Sequence, residues 1–192
     1  MGTYDRTEAG KKLEKYWREI RKNGTKVPLR SDFRVTSEIA QLLPFVVIAE
    51  VLDGDIVFRL VGTGLAEHQG IDITGRRYSE FSKPGQVTGA LTRIAAAHAR
   101  PCGLRTVHTE EYARGISSEV EVVTLPLRRD DQGGQMMVML VTPIGRGLAN
   151  KGDRPLYLNP ISSVAYIDLG DGIPEDEDVL AGRSGPSAPN EG

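Results

Sequence analysis

The side chains able to do chemistry here are few and scattered. His68, His98, His108 and Cys102 are the only histidines and cysteine in the chain. They are the groups able to ligate a soft metal, or to serve as base or nucleophile near neutral pH. His98 and Cys102 stand four residues apart, a spacing open to ligands, but Pro101 breaks the helix between them. A structural zinc site takes four ligands in tight pairs, so no metal site is expected. A serine nucleophile would need a G-x-S-x-G elbow, which the sequence lacks. Acidic pairs occur at Glu110-Glu111 and Asp130-Asp131. Adjacent strand residues point to opposite faces, so the first pair is not a catalytic dyad. The second falls in a turn, and both pairs read as solvated surface.

The stretch FRLVGTGLAEHQGIDITG, residues 58–75, invites a phosphate-loop reading. A dinucleotide loop needs G-x-G-x-x-G between strand and helix. Gly62 and Gly64 fit, but Glu67 stands at the third glycine position and would repel phosphate at a helix start. The Walker pattern is absent as well. The glycines are therefore read as serving a strand-to-helix turn. Arg59 lies in an otherwise apolar strand, where an unpaired buried charge is costly. It must reach solvent, pair with an acid or meet an anionic ligand.

These groups need a scaffold, and 192 residues supply one domain with extensions. A net charge of -2 argues against nucleic acid as partner. No apolar run approaches the ~20 residues of a membrane span, so no membrane partner is expected. The N-terminus lacks the apolar core of a secretion signal. With one cysteine, no internal disulfide is available, and the cytoplasm is the expected compartment. Residues 1–34 carry a charge surplus of +5, and residues 171–192 one of -5.

The expected organisation has four parts. Residues 1–36 hold an N-terminal amphipathic helix and a connector. Residues 37–147 form the main domain, 148–170 a C-terminal extension, and 171–192 a Gly/Pro/Ser-rich acidic tail too polar to order itself. The helix spans 6–23, with Leu13, Tyr16, Trp17 and Ile20 on one stripe at helical spacing and Gly24 as its stop. The stripe must be buried on the domain or against a second copy of itself. A short helix at 37–43 ends at Pro44. Two strands joined by Asp53-Gly54-Asp55 span about 45–62. One or two helical turns follow at 63–69, and another single turn near 75–81. A main helix opens at Pro84 with Val87, Leu91, Ile94 and His98 on one face. Three consecutive strands then pair antiparallel. The apolar stretch YLNPISSVAYIDLG packs somewhere that periodicity does not specify.

This order resembles the PAS domain family, and more closely a bacterial group of stand-alone PAS-like proteins. The residues that carry the resemblance are Tyr16-Trp17, Leu43-Pro44, Arg59-Leu60-Val61-Gly62-Thr63 and the corner Gly70-Ile71-Asp72-Ile73-Thr74-Gly75. It covers roughly residues 10–147. SDFRVTSE departs from it, where the group has an acid-proline pair. The resemblance implies an α+β fold, a five-stranded antiparallel sheet ordered 2-1-5-4-3 with short helices on one face enclosing a cavity, plus the N-terminal helix.

It also implies a non-catalytic sensory or regulatory module that binds a small molecule, a signalling protein or both. The cavity residues expected to bind are Arg59, His68, Tyr78, Leu91, Ile94 and His98. No cofactor is specified, although heme-binding relatives ligate iron from a histidine on the helix that carries His98. The cysteine motif of flavin photoreceptors is absent. Pairing through the N-terminal helix makes Leu13, Tyr16, Trp17 and Ile20 the expected homodimer interface. With no output domain in the sequence, the signal is expected to leave by protein contact. Two other classes stay open: a small enzyme using His68 or His98 as base, and a structural adaptor with a filled core.

Overall fold

The computed structural model describes residues 6–21, 26–82, 85–112, 117–130, 134–144 and 155–175. Helix α1 is Glu8–Ile20, followed by strands β1 (Val46–Leu52) and β2 (Asp55–Val61), helices α2 (Thr63–Gln69) and α3 (Gln86–Ala99), and strands β3 (Cys102–Tyr112), β4 (Ser117–Arg128), β5 (Gln135–Ile144) and β6 (Pro155–Asp168). All pairings are antiparallel, in the order β2-β1-β5-β4-β3-β6. The expected order 2-1-5-4-3 is present, and β6 adds a sixth strand beside β3. The apolar stretch after residue 147 is therefore sheet. It runs antiparallel to β3 from Cys102↔Asp168 to Tyr112↔Pro155.

The short helix expected at 37–43 is a turn followed by a 3-10 helix, Ala40–Phe45. Pro44 lies inside it rather than ending it. A short 3-10 segment, whose hydrogen bonds are weaker than an α-helix's, loses little to a residue without an N–H near its end. The expected stops and starts at Gly24 and Pro84, and the tail from 176 on, lie outside the described residues.

The helices are not confined to one face. On the first face, Val46, Ile48, Val123, Leu125, Leu127, Met136, Val138 and Leu140 form one buried cluster with Leu13, Tyr16 and Trp17 of α1. On the other, Val47, Ala49, Ile56, Phe58 and Met137 pack with Leu65 of α2, Ile73 and Ile94 of α3. This corrects the dimer expectation. Leu13 and Trp17 are fully buried within one chain, Tyr16 nearly so, and Ile20 packs against the same cluster. Within the chain the sheet covers this stripe, with Ile20 only partly buried.

Directional bonds fix α1 in place. The Trp17 indole N–H donates to the Pro126 carbonyl at 2.7 Å. The Tyr16 hydroxyl donates to the Arg34 carbonyl at 2.7 Å. At the helix start, fully buried Glu121 accepts from the Thr7 amide (3.0 Å) and hydroxyl (2.6 Å), and from Arg105 Nε at 2.6 Å. The Thr7 hydroxyl in turn caps α1 by accepting from the Gly10 amide at 3.0 Å. A carboxylate at a helix N-terminus also meets the positive end of its dipole. Gly10 is needed for the close approach, since a Cβ there would lie 2.9 Å from both Glu121 Oε1 and Val123 Cγ2.

Two outcomes follow from this packing. Trp17→Ala removes the largest buried side chain and one hydrogen bond, and should lower unfolding free energy by about 3–5 kcal/mol in urea titrations followed by circular dichroism. Glu121→Ala should cost a similar ~3–5 kcal/mol, because buried Arg105 loses its carboxylate and α1 loses its anchor. A loss below about 1 kcal/mol for either would mean that α1 is not an integral part of the fold.

Candidate functional site

Strand alternation places Leu104, Thr106, His108, Glu110 and Tyr112 of β3 on one face. It is the α2–α3 face, because Leu104 borders a cavity with Ile94, Ala97 and His98 of α3. Along this line the sheet changes from apolar to polar. Glu110 is only 2% exposed, yet its Oε2 takes the Tyr112 hydroxyl at 2.6 Å and His68 Nε2 at 2.9 Å. The same His68 nitrogen lies 3.1 Å from the Tyr112 oxygen, and the two rings meet edge-on. His108 Nε2 lies 3.1 Å from Thr106 Oγ1.

His68 reaches this cluster because of how α2 starts. A Cβ on Gly62 would sit 2.3 Å from the Leu43 carbonyl oxygen and 2.4 Å from that of Pro44, so only glycine fits. The Gly62 amide bonds the Val46 carbonyl at 2.8 Å. The chain therefore turns tightly off β2, and α2 lies across the sheet with Leu65 inward. These glycines serve packing, as read from the sequence. Gly62 is the cap residue of α2.

Electrostatically, the cluster is a stabilised ion pair. The hydrogen bond to Glu110 raises the His68 pKa above its ordinary value, against the opposing effect of burial. Burial alone would push Glu110 up, but the bonds from His68 and Tyr112, with the charges of His68 and His108, hold it below the usual carboxylate range. The arrangement can hold a proton on His68, or release it, in response to a change at Glu110.

The other half of the same face is apolar and closely filled. Tyr78 and Leu91 pack beside Ile94 in the second cluster. The cavity bordered by Ile94, Ala97, His98, Leu104, Thr124, Pro126 and Met137 measures about 10 Å3, roughly the room for one water. His98 turns its nitrogens to backbone carbonyls, Nδ1 to Ile94 (3.0 Å) and Nε2 to Met136 (3.0 Å) and Leu127 (3.2 Å). It is the hydrogen-bonded helix histidine rather than an open ligand. Cys102 is buried, and that burial pushes its thiol up to about 11.

Of the residues expected to line one cavity, the fold brings Tyr78, Leu91, Ile94 and His98 to the α3 half of this face, and His68 to its polar end. Arg59 is not with them. Ile48 pairs with Leu60 and Ala49 with Phe58, which leaves Arg59 as the extra residue of a bulge. It reaches Glu50, which is buried on the α1 face opposite Met136, through Nε at 2.7 Å and through Nη2. The acid-pairing alternative for Arg59 is the one realised. Glu110 also departs from expectation, being buried and bonded rather than solvated, while Glu111 is exposed. Tyr112 and Arg93 were not singled out from the sequence. The signal for Tyr112 was the polar period-two run Thr106, His108, Glu110, Tyr112.

An antiparallel sheet in this order, with short helices and one longer helix over a polar and apolar inner face, defines an α+β fold of the PAS-like kind. A family model described as PAS domain matches residues 6–141, and the chain belongs to that family. The match takes in α1 and stops before β6. No curated protein matches the chain significantly. PAS domains serve broadly as sensory and regulatory modules, and this chain is one of them in that general sense. Among the described residues, no helix is long and apolar enough to cross a membrane.

The His68–Glu110 pair sets a pH window. A raised histidine pKa contributes stability below its ordinary 6.5 and loses it as pH rises through the folded value. A lowered carboxylate pKa contributes above its ordinary 4.5 and loses it as pH falls through the folded value. His68→Gln should therefore cost about 1–2 kcal/mol at about pH 6, shrinking steadily toward alkaline pH. Urea titrations of both proteins across that range check it, and a pH-independent difference would contradict the ion pair.

Proposed function

We propose that this protein is a non-catalytic cytoplasmic signalling module whose sensing face is the side of the sheet covered by α2 and α3, where it reads a small molecule. The observation that carries this reading is the polar character of that face. Glu110 and His108 are buried there, His68 projects onto Glu110 from α2, and Arg93 is buried on α3. A purely structural core would fill these places with apolar side chains at no loss of stability. Buried polar groups are maintained where recognition needs them. The signal passes to a partner protein through the surface, since α2 and α3 lie near it and shift whenever the face beneath them changes. A homodimer built on the α1 stripe is no part of this reading, because the sheet already covers that stripe.

The small volume beneath α3 implies a compact ligand, or one that moves the helices apart as it enters. Mass spectrometry of the purified protein under native conditions should show the chain carrying a small molecule that is released on unfolding. A bare chain in that experiment, with no metabolite extract able to add mass or raise the melting temperature, would favour the filled adaptor and overturn the proposal.

A further inference from the structure

Arg93 lies at the middle of α3, and the whole residue is only 7% exposed. Its Nε is buried and has no hydrogen-bond partner, and among the described residues no carboxylate pairs with its guanidinium. Across from α3, on β6, the Tyr166 hydroxyl is likewise buried without a partner. Tyr166 stands opposite Leu104 in the sheet, so it shares the α3 face. The ionisable groups that act on Arg93 are the phenols of Tyr166 and Tyr78. Burial raises both phenols, Tyr166 to about 12, so neither supplies a negative charge at neutral pH. Burial also lowers the Arg93 pKa, but an arginine stays charged well past neutrality.

A buried cation beside a second unpartnered donor, with no carboxylate paired to it among the described residues, is suited to an anion. The edge of a guanidinium, Nε–H beside Nη–H, presents two parallel donors that match a carboxylate. A phenol hydroxyl supplies a third. The neighbouring α3 residues Ile94 and Ala97 border the small apolar cavity with Leu104. The site thus joins a carboxylate-shaped set of donors to a narrow apolar slot.

We infer that the α3–β6 side of the sensing face binds a small aliphatic monocarboxylate, with Arg93 and Tyr166 holding the carboxylate and its short chain entering the Ile94–Ala97–Leu104 slot, which widens beyond the room of one water as α3 moves to admit it. The inference rests on the sensing face proposed above and names the chemical class of its ligand. Phosphate is disfavoured because the slot is mostly apolar, with His98 and Thr124 its polar members, and its size favours the shortest chains.

The test is calorimetry and thermal melting of the full chain with acetate, propionate and butyrate, at one ionic strength and pH made up with chloride. The melting temperature should rise with carboxylate in a saturable way. Tyr166→Phe should weaken the effect roughly 10-fold, and Arg93→Met roughly 100-fold or more, the scale of one neutral and one charge-assisted set of hydrogen bonds. Arg93→Met replaces the buried cation with an apolar chain of similar length, and circular dichroism verifies its fold. Should that variant prove unfolded, Tyr166→Phe carries the test alone. No response beyond chloride, an equal response from Tyr166→Phe, or stronger binding of phosphate would each overturn the inference. A neutral or cationic molecule that co-purifies with the protein and binds Arg93→Met undiminished would also overturn it, while leaving the sensing face standing.

Discussion

The sheet carries buried apolar side chains on both faces, and the rest of the molecule follows from the need to cover both. An antiparallel sheet commonly leaves one face to water and alternates accordingly. Here VVIA in β1, VVTLPL in β4 and MMVML in β5 are nearly continuous apolar runs. Each buried side chain in them is worth roughly 1.5–3 kcal/mol only if something lies over it. Helices α2 and α3 cover one face, and α1 has to cover the other. That is why the most carefully anchored helix in the protein is the one at its N-terminus. Trp17 is pinned to Pro126, Tyr16 to Arg34, and Thr7 to a fully buried carboxylate. The family match beginning at residue 6 agrees with a helix that belongs to the domain.

Much of this fold is legible in the amino-acid sequence. Turn residues at 53–55, the Gly62 corner and the helical spacing of Leu91 and Ile94 each have a local physical cause, and each element stands where that cause puts it. What the local pattern does not contain is the identity of a partner. The stripe Leu13–Tyr16–Trp17–Ile20 announces burial equally well against a sheet or a second helix. The continuous runs in β1, β4 and β5 carried the answer, because they require a cover on each side. Strand β6 was illegible for a related reason. Its place beside β3 depends on a long return of the chain, and its prolines, Pro155 and Pro160, argue against a strand at short range.

The site was legible in part. His68 and His98 could be singled out because histidine is rare here, but their roles depend on atoms far away in sequence. His68 acquires its character from Glu110, 42 residues on. His98 spends its nitrogens on carbonyls of Ile94, Leu127 and Met136. Arg59 reads as a pocket residue only while the register of β2 is unknown: Val57 pairs with Glu50, and Arg59, two residues on, reaches that same carboxylate on the α1 face. Glu110 looked solvated because glutamate usually is. Its burial becomes affordable only when Tyr112 and His68 supply the donors that water would have given.

These placements bear on how a signal could arise. The α1 face is apolar at its centre, and the charges buried there, Glu121 and Glu50, are each met by an arginine, so it has little to respond with. The opposite face is built differently. At one end a carboxylate is neutralised by a histidine carried on α2, a helix of seven residues. At the other, a guanidinium on α3 has no such partner among the described residues. A short helix held by a tight glycine turn, one buried leucine and one ion pair opens at lower cost than a strand in mid-sheet. Both helices are thus coupled to the sheet through charge as well as through apolar contact. Charge is the interaction that a small ion or a proton alters most steeply in a low-dielectric site. A ligand that supplied the absent negative charge under α3 would change the balance of forces on that helix while leaving α1 and its face untouched. The division of labour between the two faces, one fixed and one responsive, is the property a sensing module requires.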